Sequence, residues 1–300
     1  METMESPQLN VVRVLFDRVA NLRREGKHDE AIRVATTAID TAGRLVESDE
    51  SARRHLVTAL GTLAELRLEQ GDYPPAEALL IDALEHASYC EVPAIQLAGM
   101  KSSLAGIYDF NAFPESAIGL YEEAIVIFEA LDPPLEEDAA NLRNNLAMIY
   151  KDAGYFDQAE DNYIKALEIL ERIYGRHHED VASIYNNLGA LYYATGYAAQ
   201  AREMHGQALD IRSSLDEKNE ADIGQSYSNL GTCLHELGEA AEAQRQFDAA
   251  LKHLEHTIGH DSEMYTIVSS NYATLLRDLK LEKKALAVEK RSQKLLKKLG

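Results

Sequence analysis

The chain has 300 residues, with 50 acidic side chains against 30 basic ones and a formal net charge of −20. Most of such a surface repels a phosphate backbone, so nucleic acid is not an expected partner. Apolar residues at 46% and charged ones at 27% describe a globular chain, not a disordered one.

The opening METMESPQLN carries acids where a secretory leader needs a basic start and an apolar run. No later run approaches the roughly 18 uncharged apolar residues of a membrane span. The two cysteines, Cys90 and Cys233, form no disulfide framework and read as packed or idle thiols. The expected setting is cytoplasmic, with no membrane partner. The seven prolines, Pro7, Pro74, Pro75, Pro93, Pro114, Pro133 and Pro134, fall at helix starts or connections. A proline lacks the N–H that an interior helical turn needs. The stretches between them are rich in Ala, Leu, Glu, Arg and Gln and show no period-2 alternation, so the chain reads as all α. In chain order, the expected first helices are 8–25, 50–70, 93–110, 136–153, 178–195, 220–237 and 262–279. The second helices are 28–46, 74–89, 114–131, 156–174, 198–215, 240–258 and 282–298.

These elements repeat. Alanine recurs at Ala31, Ala76, Ala117, Ala159, Ala201, Ala243 and Ala285, and the last four intervals are each 42 residues. A second column holds Ala38, Ala83, Ala124, Ala166, Ala208, Ala250 and Ser292; a third holds Val19, Ala64, Ala105, Ala147, Gly189, Gly231 and Ala273. Small side chains at a helix crossing let two backbones approach. Between the helices of each pair, Gly26, Gly71, Gly154, Gly196 and Gly238 mark a turn, with Ala112 and Lys280 as exceptions.

The stretches NNLAMIYKDAGYFDQAEDNYIKALEIL (144–170) and NNLGALYYATGYAAQAREMHGQALDI (186–211), with the linker YGRHHED, resemble the tetratricopeptide repeat in its 42-residue, kinesin-light-chain form. The resemblance covers nearly the whole chain. It implies an all-α, right-handed superhelical solenoid of seven antiparallel helix pairs. One continuous solenoid over 1–300 is expected, with less regular repeats over 8–132 and regular ones over 135–300, the last a basic capping repeat. The resemblance further implies that the first helix of each pair lines a concave groove that binds a partner peptide.

Read at 42-residue steps, the exposed columns of that groove hold Asn145, Asn187, Asn229 and Asn271, preceded by Asn144, Asn186, Ser228 and Ser270. Asn141 stands one turn earlier; Lys151, Tyr193, His235 and Arg277 stand further along the same helices. Asn in a helix interior costs on the order of 0.5 kcal/mol relative to Ala. An amide also offers two donors and an acceptor to a peptide backbone. In kinesin light chains the matching asparagines contact cargo peptide, which the resemblance carries to Asn145, Asn187, Asn229 and Asn271. A ladder that bonds neighbouring helices and fixes stacking is the alternative. The Lys/Arg carboxylate clamp of co-chaperone repeats is not expected, because its places hold Asn, Ser, Thr and Ala.

Charge is uneven. Residues 280–300 hold eight Lys/Arg and two acids, which leaves residues 1–279 at −26. Lys290, Arg291, Lys294 and Lys298 form a basic C-terminal helix, either a solvated cap or a dock for an acidic partner. Phosphate-loop, nucleophile-elbow, His-Glu-x-x-His and calcium-loop motifs are missing. The pairs His177–His178 and His253–His256 are tied to no further ligand. The expectation is a non-enzymatic scaffold without cofactor or metal, and a monomer. Its partner would be a peptide segment or, by the resemblance to repeat-only bacterial kinesin light chains, a bacterial tubulin filament. The repeats begin near residue 8, without the coiled coil that binds a motor chain, so no motor partner is implied. A peptide-sensing signalling regulator, or a general adaptor using the concave groove, is the competing function.

Overall fold

The computed structural model describes residues 7–46, 51–256 and 262–298; the expected start of the second pair at 50 and the expected end of the twelfth helix at 257–258 lie outside them. Fourteen helices, and no strand, are present among the described residues. They pair in order as α1 (Pro7–Arg24) with α2 (His28–Gly43), α3 (Ser51–Glu69) with α4 (Tyr73–Ala87), and α5 (Ala94–Phe110) with α6 (Pro114–Glu129). Then come α7 (Glu136–Asp152) with α8 (Phe156–Tyr174), α9 (Glu179–Ala194) with α10 (Ala198–Ser214), α11 (Glu220–Glu236) with α12 (Ala240–Glu255), and α13 (Ser262–Asp278) with α14 (Glu282–Leu296). Several second helices stop two or three residues before their expected ends. There the last turn tightens into i−3 bonds, as in Leu45 N–H to the Ala42 carbonyl (3.0 Å) and Lys298 N–H to Leu295 (3.0 Å).

Each hairpin closes in the same way. A residue of positive φ follows the first helix, and the next N–H returns five residues to the helix: Tyr155 to the Tyr150 carbonyl, Tyr197 to Tyr192 and Glu239 to Leu234, all at 2.8 Å. The two exceptions in sequence are not exceptions in conformation. Ala112 (φ 59°) and Lys280 (φ 62°) take the left-handed geometry despite their Cβ and make the same bonds, Phe113 to Tyr108 and Leu281 to Leu276, at 2.8 Å.

The chain divides into two compact units, Met1–Leu142 and Arg143–Gly300. In the first, Leu60, Leu80 and Ile107 fill the space between α3, α4 and α5, and Leu22, Ala35 and Leu66 join α1, α2 and α3. In the second, Phe247, Tyr265, Tyr272 and Leu276 build the core between α11 and α14. All three small-residue columns are buried. In two repeats the reason is more specific than backbone approach. A Cβ on Gly189 would lie 2.6 Å from the His205 ring, and one on Gly231 would lie 3.1 Å from the Phe247 ring. Glycine there admits a ring from the second helix.

Ala166, fully buried in α8, tests the column. Ala166→Leu is expected to lower stability by about 1–3 kcal/mol through overpacking. The exposed change Glu168→Gln should stay within about 0.5 kcal/mol, both read from urea midpoints. Glu171 is unsuitable as the control, because it accepts the Tyr185 hydroxyl at 3.0 Å.

Candidate functional site

The asparagine columns come together as a ladder between first helices. Asn187 Nδ2 on α9 donates to Asn144 Oδ1 on α7 at 2.8 Å, and Asn229 Nδ2 on α11 donates to Asn186 Oδ1 on α9 at 2.9 Å. Each bond spans 43 residues, one repeat plus one position. The helical cost of asparagine is thus offset by bonds across the stacking interface. The ladder stops where its acceptor stops: Asn271 would need a long side chain at 228, and a buried serine stands there.

The columns differ in what they leave for a partner. Asn145 and Asn271 are exposed, and Asn145 Oδ1 accepts only a long bond, 3.4 Å, from Asn144. Asn187 and Asn229 are half-buried; each uses one N–H in the ladder and keeps its Oδ1 and second N–H. Asn186 differs from its place in the expected groove. It is buried, and its Oδ1 takes bonds from both Asn229 and His205 Nδ1 (3.1 Å). Asn141 is exposed at the end of the first unit. Tyr193 is exposed; Lys151 Nζ lies 3.2 Å from Asp152, and His235 Nε2 lies 3.2 Å from Asp278. Arg277 is engaged by α14, through Glu289 at 2.6 Å and Glu282 at 3.6 Å.

Those contacts also shape the basic helix. Both acids of α14 are bound by Arg277, and Arg291 is bound by Glu255 at 2.6 Å. Lys290, Lys294 and Lys298 are exposed and, among the described residues, unpaired. With Lys283 and Lys297 they share one face of the helix, opposite the buried Ala285 and Ser292.

Two residues that shape this surface were not singled out in sequence. Arg212 on α10 is buried, and it bonds Glu179 (2.9 Å) and Ser183 (3.3 Å) on α9 and Ser226 (2.9 Å) and the Asp222 carbonyl (3.2 Å) on α11. His205, below Asn186, has its pKa pushed down to about 4 by burial and then by the Arg212 charge. A signal existed for both: Arg212 interrupts the column Leu170–Arg212–Leu254, and His205 interrupts Tyr163–His205–Phe247. No group of three or more His, Cys, Asp or Glu able to hold a metal occurs among the described residues, and no helix there is long and apolar enough to cross a membrane.

Paired helices with buried small columns, a repeated turn and a polar ladder along the first helices define a repeat scaffold. The chain belongs to the tetratricopeptide-repeat family, whose model matches residues 138–214 and 222–298. Among solved structures it is similar to BtubC (BKLC) from P. vanneervenii, at 35% identity over 78% of this chain and 93% of that one, with a TM-score of 0.63. A putative kinesin light chain from Podosopora anserina matches at 19% identity over 67% of this chain and 96% of that one, TM-score 0.55. The apo form of RapI matches at 15% over 96% of this chain and 77% of that one, TM-score 0.70. The last two likenesses show the fold alone. No curated protein matches the sequence.

Proposed function

We propose that this chain is a non-enzymatic interaction scaffold of kinesin-light-chain type, which holds an extended segment of a bacterial tubulin filament along its first helices. The observation that carries the groove is the half-used ladder: Asn187 and Asn229 are fixed in direction by one bond each and retain a free acceptor and donor. Side chains held in this way need little further ordering to meet a peptide backbone. The likeness to BtubC, at 35% identity over 93% of that chain, supports the choice of partner. The cationic face of α14 offers a second, salt-sensitive contact to an acidic filament surface.

The ladder decides which variants test the groove. Asn187→Ala with Asn229→Ala removes two inter-repeat bonds and confounds binding with stability. Asn145→Ala with Asn271→Ala removes two exposed amides outside the inter-repeat bonds. The second pair is expected to leave the melting temperature unchanged and to weaken co-sedimentation with bacterial tubulin filaments about 5- to 150-fold, two net hydrogen bonds' worth. Unchanged co-sedimentation would remove the groove from the interface.

A further inference from the structure

Among the described residues of the first unit no amide bond of this ladder links α3 to α5, and a cavity stands at that place. Counting by repeats, the positions of Asn144 and Asn187 are held there by Gly61 on α3 and Ser103 on α5. Neither reaches across, and a cavity of about 130 Å³ opens between the two helices. Its floor is apolar and buried, formed by Leu80 of α4 and Met100 of α5. Its rim mixes polar and apolar groups: Thr62, Ser103 and Gln96, whose Nε2 donates to Thr58 at 3.3 Å, stand with the exposed Ile95 and with Glu65, which is paired to Arg23. Gly61 and Gly99 form its walls. A mid-helix glycine costs roughly 0.5–1 kcal/mol against alanine. Neither is forced by crowding: a Cβ on Gly99 would meet nothing within 4 Å, and one on Gly61 would touch only Met100, at 3.5 Å. Both glycines line this space, and neither position is closed to a larger side chain by its neighbours.

We propose that this cavity is a side-chain pocket for a polypeptide partner, taking one aliphatic residue of leucine size. An apolar cavity of about 150 Å³ holds a benzene molecule, so this volume suits leucine, isoleucine or methionine and is too small for an indole. The apolar floor takes the side chain, and the rim hydroxyls and amide meet the peptide groups on either side of it. The proposal rests on the reading that the first helices form the binding face. It adds a chemical preference that the asparagine ladder cannot supply.

The test uses the full chain with ¹³C-methyl methionine, in which Met100 reports from the pocket floor. The probe is N-acetyl-leucine-N′-methylamide, with the glycine analogue beside it. The leucine probe is expected to shift the Met100 methyl resonance saturably, with a Kd in the ~mM range for so small a ligand. The glycine analogue should leave it in place. Gly99→Leu, which fills the space, should abolish the shift, and Gly99→Ala should weaken it; both should melt no lower than the parent chain, because helix propensity rises. A Met100 resonance that stays still, equal shifts from both probes, or an undiminished shift in Gly99→Leu would each overturn the pocket. Loss of filament binding in the Asn145/Asn271 variant is a separate result, so the groove and the pocket fail independently.

Discussion

Acidification from pH 6.5 to pH 4 is expected to destabilise the fifth repeat by up to about 3 kcal/mol through one histidine. His205 is almost fully buried, and its pKa falls from 6.5 to about 4. Burial is the larger cause and the nearby Arg212 charge the second. The folded state therefore binds its proton less readily than the unfolded state. The stability contributed is fully present above the unfolded pKa and is lost as pH falls towards the folded one. Protonation would also place a second cation near Arg212 in a site closed by Gly189. Urea midpoints at pH 7 and pH 4.5 give the parent dependence, and His205→Phe isolates the histidine, since carboxylates titrate in both proteins. Phenylalanine already fills the matching site of the next repeat, where Phe247 packs on Gly231. An equal acid dependence in His205→Phe would show that the ring is not the sensor.

Loss of the Arg212 side chain should be comparably severe. Arg212→Ala is expected to cost about 3 kcal/mol, the low end for breaking a buried ion pair, because Glu179 can turn to water. The Glu179 side chain is 38% exposed against 5% for Arg212. The same arginine joins α9 to α11, so its removal also loosens the stacking of successive repeats. Arg212→Leu is expected to recover most of the loss. Leucine occupies this column at Leu170 and Leu254, and Ser226 keeps its bond to the Asp222 carbonyl at 3.0 Å. An apolar residue of similar volume often matches a buried ion pair in stability. Chemical unfolding of the three proteins separates the readings: if Ala and Leu are equally destabilised, the hydrogen bonds carry the effect, and if neither is, the site is slack.

The paired-helix fold was legible because a 42-residue period places the same small residue at each helix crossing. Ala159, Ala201 and Ala243 are buried for one geometric reason repeated, and a period reports such a reason directly. The turns were legible from glycine, and the two places without it, Ala112 and Lys280, keep the register because the surrounding hairpin imposes the left-handed conformation on them. The asparagine columns were also visible, but not their partners. A column says which face of a helix a side chain lies on; the stacking of one repeat on the next decides what it meets. That stacking bonds Asn187 to Asn144 and submerges Asn186 under His205 and Asn229, although 186 and 187 are adjacent in sequence. The same holds for Arg212, whose bonds reach both neighbouring first helices, and for the cavity beside Gly61 and Gly99. Local spacing along one chain encodes burial within a hairpin. Contacts between hairpins depend on the angle and distance at which they pack, and those exist only once the repeats are stacked.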